Sequence, residues 1–275
     1  MNIDDVKKLC KKYGIFPSKK LGQNFLVDEN TLKQIMKAAH LSKNDIILEI
    51  GPGLGSLTFA LAKKVERVVT IEKDKKMCEV LKKELEGSGV RNVKVVNNDI
   101  LKLNPKPYAL KTYRIMANLP YYITSPVIRK FLELKKQPSE MILMVQKEVA
   151  QRICAHSPKM SILSVSVQFY AQPEIVSFVS KKSFWPQPKV DSAIIRIVPH
   201  GKKFSDKFNR LFFKIIKAGF SHPRKQLVNN LSQELKVEKE KVRNWLLENK
   251  IQPTQRAETL SIYNWQKLTK TFKMH

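Results

Sequence analysis

At 275 residues the chain can bury a full core and has room for one large domain and one small one. Lysine and arginine number 51 against 24 aspartate and glutamate, a net of +27 that exceeds what solubility asks for and points to a polyanionic partner, a solvated lysine-rich surface being the plainer alternative. There is no 18-residue apolar run and no apolar leader of the signal-peptide kind, which excludes a helical membrane span and points to a cytoplasmic protein.

The first 26 residues form a basic arm that ends in Lys19-Lys20-Leu21-Gly22-Gln23-Asn24-Phe25-Leu26, and a helix is predicted from Asp28, its N-cap, to His40. Strands and helices then alternate. Strands are predicted at Ile46–Ile50, Arg67–Glu72, Val93–Asp99 and Tyr113–Ala117, with helices ending near Lys64 and Glu86 and a third over Ser125–Lys136. This order predicts a parallel sheet covered by helices on both faces. A strand over Glu140–Val145 and helices over Gln146–Ile153 and Ser161–Tyr170 follow; Glu174–Val179 and Ala193–Val198 then have no long helix between them, so they are expected to lie antiparallel at the sheet edge.

Beyond Pro199 helices are predicted at Phe204–Phe220, Lys225–Leu235, Glu238–Asn249 and Tyr263–Phe272. The segment from residue 201 carries 17 basic and 6 acidic residues, nearly twice the net charge density of the preceding 200. It is therefore set apart as a small basic helical domain, 201–275, that helps grip a phosphate backbone, behind a larger domain, 1–200. Cys10, Cys78 and Cys154 lack the paired spacing of a zinc site or a disulfide framework and read as reduced thiols, with no metal expected.

Two stretches carry chemistry. Glu49-Ile50-Gly51-Pro52-Gly53-Leu54-Gly55-Ser56 follows a strand and opens a helix, which brings backbone N–H groups close to a ligand. Pro52 and Ser56 depart from a dinucleotide fingerprint. Glu72 closes the second strand, where a carboxylate can accept both hydroxyls of a ribose, and Asp99 closes the third, placed to accept from an adenine amino group. Taken singly, Glu72 reads as a surface carboxylate paired with Lys73 or Lys75; together, the three strand ends describe a nucleoside pocket.

The second stretch is Ala117-Asn118-Leu119-Pro120-Tyr121-Tyr122. An exocyclic nucleobase amine has its lone pair delocalised into the ring, so acceptors must draw on its hydrogens before the nitrogen can attack. The Asn118 oxygen can take one hydrogen and a carbonyl beside Pro120, that of Leu119, the other. Pro120 fixes φ and biases its neighbour to an extended shape, and Tyr121 can stack on the base. By itself the stretch reads equally as a strand-ending turn with its tyrosines in the core.

From Lys19 to about Ser261, in KKLGQNFL, EIGPGLGSLT, IEKD, NND, NLPYYITSP, MVQKEVAQRI, SFWPQPKVDSA, the Arg224-Lys225 helix and QRAETLS, the chain resembles the ribosomal RNA adenine dimethyltransferases of the small-subunit type. GQNFL, NLPY and SFWPQPKV are specific to such enzymes; the glycine turn and Glu72 are shared by many methyltransferases. The resemblance implies an α/β fold, a Rossmann-like S-adenosylmethionine-dependent methyltransferase sheet with an antiparallel edge hairpin, plus a small all-helical C-terminal domain. It implies that Asn24, Leu26, Gly51, Glu72, Asp99 and Asn118 line the cofactor and amine site. Asn118, Leu119, Pro120, Tyr121 and Phe184 would form the catalytic set, with Tyr121 and Phe184 stacking on the base; for Phe184 a core position before the last hairpin is the alternative. Lys19, Lys20, Arg224 and Lys225 would bind RNA.

The reaction so implied is in-line transfer of methyl groups from S-adenosylmethionine to N6 of two adjacent adenines in a loop near the 3′ end of small-subunit ribosomal RNA, during 30S assembly. S-adenosylhomocysteine is the product, and positioning and electrostatics supply most of the rate. Two rivals stand beside it: a resistance-type dimethyltransferase acting on large-subunit RNA, and a noncatalytic RNA-binding factor on the same fold. No obligate protein subunit is signalled, and a monomer is expected. Relatives often carry a Tyr-Gly before the leucine where this chain has Lys159-Met160-Ser161-Ile162-Leu163-Ser164-Val165, and a basic residue where it has Pro223 ahead of Arg224-Lys225.

Overall fold

The computed structural model describes residues 1–103, 112–201 and 204–272. Two compact units divide the chain, one of Met1–Ala150 with Pro173–Pro199 and one of Gln151–Gln172 with His200–His275. In chain order the elements are α1 (Ile3–Tyr13), β1 (Phe25–Leu26), α2 (Glu29–Ala38), β2 (Ile46–Ile50), α3 (Ser56–Ala62), β3 (Arg67–Glu72), α4 (Lys75–Gly87), β4 (Val93–Asn97), β5 (Arg114–Asn118), α5 (Thr124–Leu132), β6 (Glu140–Gln146), α6 (Lys147–Ile153), α7 (Ile162–Gln168), β7 (Ala171–Val179), β8 (Phe184–Trp185), β9 (Ser192–Pro199), α8 (Asp206–Gly219), α9 (Leu227–Leu235), α10 (Lys239–Glu248) and α11 (Ile262–Thr271).

The first unit holds a seven-stranded sheet in the order β4-β3-β2-β5-β6-β9-β7. Pairs from β4 to β6 are parallel, and β9 runs antiparallel to β6, from Met141 opposite Ile197 to Gln146 opposite Ser192. Central strands such as β5 and β6 are near-continuous apolar runs because helices cover both faces of a parallel sheet. The strand order reverses between β2 and β5, so a crevice opens at the carboxyl ends of these strands, the place where open α/β sheets bind ligands.

Two features of this unit lie outside the sequence expectations. The N-terminal arm is not merely basic: Asn2 accepts from the Asp4 and Asp5 N–H groups while the Asp5 carboxylate accepts from Asn2 N–H, a capping box that starts α1. Val6 and Cys10 of α1 then join Ile15, Phe25, Leu54, Met77 and Val80 in a small apolar core. The second feature is a two-stranded antiparallel sheet of β1 and β8, in which Phe25 lies opposite Trp185 and Leu26 opposite Phe184. Two distant motifs, GQNFL and SFWPQPKV, are thereby joined backbone to backbone.

The second unit is helical, built on a core that includes Phe212, Leu231, Leu246 and Trp265. Met160, Val165 and Phe169 belong to that core, Phe169 stacking on Phe212 with ring centroids 4.0 Å apart. Residues 151–172 are therefore part of this compact unit, a stretch that charge density, with its boundary near residue 200, does not assign to it. Helix α9 begins at Leu227, not at Lys225. Asn230 donates to Gly219 O at 2.8 Å and to His222 O at 2.9 Å, and the turn so held carries Arg224 and Lys225, both exposed.

Candidate active site

The ends of β2, β3 and β4 make the first half of the site. Gly51 N–H donates to Ile71 O at 2.9 Å, which holds the glycine turn against β3. At Gly53 the backbone has φ +54, and a Cβ there would stand 3.1 Å from the Phe25 ring, so turn and aromatic close together only over glycine. The Gly53 N–H reaches Glu72 Oε2 at 3.3 Å and the Asp74 N–H reaches Oε1 at 2.9 Å. Glu72 is 9% exposed, and burial raises its pKa while these backbone donors oppose the rise. Its carboxylate is not a surface ion pair; Lys73 instead meets Asp99 at 3.0 Å. Against the burial that raises it, the Leu101 N–H and the Lys73 ammonium hold the Asp99 pKa below its ordinary value. Beneath the turn, Glu49 is 1% exposed, accepts from Thr58 Oγ1 at 2.7 Å, and is pushed by burial to a pKa of about 8.

The other half grows from the end of β5. Asn118 Nδ2 donates to Asn24 O at 3.0 Å, and Asn24 Nδ2 donates to Gly22 O at 3.2 Å. That bond takes one of the two Nδ2 hydrogens and orients the amide, and Oδ1 receives no hydrogen bond among the described residues, so Oδ1 is an acceptor open to a ligand. Leu119 N–H is bound to Met144 O at 3.2 Å and its side chain is buried, while its carbonyl receives no N–H among the described residues. Pro120, at φ −54 and ψ 128, caps the 3-10 turn Tyr121–Ile123. The Tyr121 hydroxyl is 2.8 Å from Ser192 Oγ at the start of β9, and burial raises its pKa.

One cavity is lined by Asn24, Leu26, Gly51, Glu72, Asp99 and Asn118, and Leu119, Pro120 and Tyr121 line it as well. The structure thus brings nine of the predicted residues to one place. Phe184 is not among them. At 3% exposure it packs in the core with Leu26, Ile35 and Val179, so its ring supports the floor, and the core alternative is the one the structure adopts. Lys19 and Lys20 are exposed just before the cavity-lining Leu21; Arg224 and Lys225 lie on the helical unit.

Sequence reasoning passed over three contributors. Gln23 accepts from Ser18 N–H at 2.8 Å and donates to Asp74 Oδ2 at 3.0 Å, fastening the GQNFL segment to the strand end that carries Glu72. Ser192, fully buried, lies in a quoted motif to which no task was attached. Glu49 precedes the glycine turn, and only its burial reveals that it is held neutral.

The model of the family described as ribosomal RNA adenine dimethylase matches residues 17–273. A protein of Dehalococcoides mccartyi (strain CBDB1) named ribosomal RNA small subunit methyltransferase A is 41% identical over 95% of this chain and 90% of its own length. One of the same name from Clostridioides difficile (strain 630) is 40% identical over 93% and 91%. Among solved structures, a dimethyladenosine transferase from Plasmodium falciparum superposes with a TM-score of 0.75 at 29% identity, covering 89% of this chain and 95% of that one. The 23S rRNA methyltransferase ErmE gives 0.73 at 27%, covering 90% and 98%.

Proposed function

The chain belongs to the ribosomal RNA adenine dimethylase family, and on that footing we infer that it transfers methyl groups from S-adenosylmethionine to N6 of two adjacent adenines in a loop near the 3′ end of small-subunit ribosomal RNA. The observation that carries the reading is the state of Asn118: Asn24 O holds one hydrogen of its amide nitrogen, and its oxygen, which receives no donor among the described residues, is open to accept in the cavity that Glu72 and Asp99 also line.

The cavity suits a nucleoside-bearing methyl donor. Glu72, pinned by two backbone N–H groups, offers remaining lone pairs to ribose hydroxyls, and Asp99 offers an acceptor for an adenine amine. Asn24, Leu26 and Gly51 complete the walls. When bound, S-adenosylmethionine supplies an electrophilic methyl carbon and leaves as S-adenosylhomocysteine.

The protein's own work is on the acceptor. Asn118 Oδ1 accepts a hydrogen bond from one N6–H and the Leu119 carbonyl from the other, which pulls lone-pair density back onto the nitrogen and fixes its direction of approach; the nitrogen, acidic once its lone pair has formed the bond to the methyl carbon, then loses a proton to water. Tyr121, anchored through Ser192, presents a ring for the base to stack on. For the second transfer one N–H remains, and the monomethylated amine turns about its C–N bond to offer it. A base must leave its stack to enter such a cavity, which favours a loop adenine over a paired one. Lys19 and Lys20 on one unit and Arg224 and Lys225 on the other hold phosphates, and the protein acts as a monomer in the cytoplasm, where the ribosomal RNA is.

Incubation with labelled S-adenosylmethionine and either small-subunit precursors, mature small subunits or large-subunit RNA tests the whole reading. Dimethyladenine in small-subunit RNA is the expected product. Label confined to large-subunit RNA would transfer the chain to the resistance type, and no label on any adenine would leave a binding factor.

A further inference from the structure

Of the stretch Asn118 to Tyr122, the final residue has no task in the reaction as derived. Tyr121 and Tyr122 are neighbours in the same 3-10 turn, yet they are disposed differently: Tyr121 is tied inward to Ser192, while Tyr122 lines the same cavity and is 55% exposed. A single exposed tyrosine is ordinary. What distinguishes this one is its support. A Cβ on Gly22, at φ +62, would stand 3.6 Å from the Tyr122 ring and 3.5 Å from Pro120 Cβ, so the ring faces the turn that precedes β1 across about the width of a methyl group.

That turn is itself stiff. Gly22 N–H donates to Lys19 O at 3.1 Å, Gln23 N–H to Ser18 O at 3.2 Å, and Ser18 N–H to Gln23 Oε1 at 2.8 Å. Exposed Lys19 and Lys20 lie on it. An aromatic ring backed by a stiff turn, more than half exposed, with cations on that same turn, is the arrangement that single-stranded nucleic acid uses, bases on the ring and phosphates on the cations.

We propose that Tyr122 is a second base platform, stacking on the nucleotide adjacent to the adenine held in the cavity. The inference rests on the cavity being an adenine site. Extruding one base strips its neighbour of a stacking partner, and the Tyr122 ring at the rim replaces the partner that was lost. In this proposal Tyr122 is a positioning residue, acting through the neighbouring nucleotide and not on the reacting nitrogen.

The test uses the full-length protein and an RNA carrying the accepting loop, with 2-aminopurine next to the accepting adenine. Bound to the parent protein the probe stays dim because it is stacked. Tyr122→Ala should leave it bright and raise KM for RNA about tenfold, with kcat and cofactor affinity within about twofold; Tyr122→Phe and Tyr122→Trp should restore both readings. An unchanged KM and a dim probe in Tyr122→Ala overturn the proposal. So does a loss of cofactor affinity that Tyr122→Phe restores in step with KM, which makes the ring a prop for the Ser18–Gln23 turn and nothing more. Fluorescence reads binding and not turnover, so it decides the platform even in a preparation that transfers no methyl group; that last result counts against the enzyme reading alone.

Discussion

In the proposed reaction the two ends of Asn118 have two duties, Nδ2 holding Asn24 and Oδ1 meeting the amine, and replacing the residue separates them. Asn118→Ala should cut methyl transfer at least a hundredfold while cofactor affinity changes only severalfold; equal losses in kcat and in cofactor binding would make the side chain a strut for Asn24. Ser192 acts at one remove, through Tyr121. Ser192→Ala and Tyr121→Phe should each lower kcat about fivefold, the worth of one hydrogen bond, and the double variant should lose no more than either, because both remove the same contact. Glu49 has a pH signature. Its carboxyl releases its proton near 4.5 in the unfolded chain and at about 8 in the folded one, so the folded state holds the extra proton across that window and stability falls as pH rises through it. Glu49→Gln should flatten this contribution, so that its thermal midpoint gains on the parent protein between pH 5 and pH 8. Asn118 and Glu72 were legible in the sequence because each sits where a strand pattern stops. Ser192 and Glu49 were not: the partner of a buried hydroxyl, or the depth of a carboxylate, is set by chain segments that no local pattern records. Phe184 shows the same limit in reverse, since a motif names an aromatic without saying which way it is covered.

Helix α2 illustrates how a cap does more than start an element. Asp28 accepts from Asn30 N–H at 3.0 Å as a predicted N-cap, but also from Thr31 Oγ1 at 2.6 Å and Ser183 Oγ at 3.0 Å, the last being the residue before β8. The Thr31 bond first, then Ser183 and the backbone donors, hold its pKa below the ordinary value of 3.8 despite burial. That contribution is fully present above the unfolded value and is lost as pH falls through the lower folded one. Asp28→Ala should therefore cost about 1–2 kcal/mol in urea unfolding at pH 7, and the gap should close in strong acid. The sheet strands were readable because burial on both faces writes long apolar runs. Strands β1 and β8 were not, for two residues carry no period, and α1 was hidden under its own lysines although its Asn2-to-Asp5 capping box was there to be read.

Taken entire, the molecule carries its surplus of 27 positive charges over both units, and phosphate contacts release counterions. Affinity for RNA should fall linearly on a plot of log K against log salt, and charge reversal at Arg224 and Lys225 should make the line shallower; a flat plot would remove the case for a phosphate grip. Charge found the basic character of the C-terminal helices but not the full extent of their unit, because cores are bounded by apolar contacts such as that of Phe169 with Phe212. The pairing of β1 with β8 bears on how the protein is made. The two strands are separated by about 160 residues of chain, a long loop to close and a late one. As the chain leaves the ribosome, the glycine turn, Glu72, Asp99 and Asn118 all emerge before Phe184 does, while Phe25 and Leu26, made earlier than any of them, wait without their partner strand. The oldest wall of the cavity is therefore the last to be set, and a chain cut short before β8 carries every acceptor of the site without the enclosure that lets them act together.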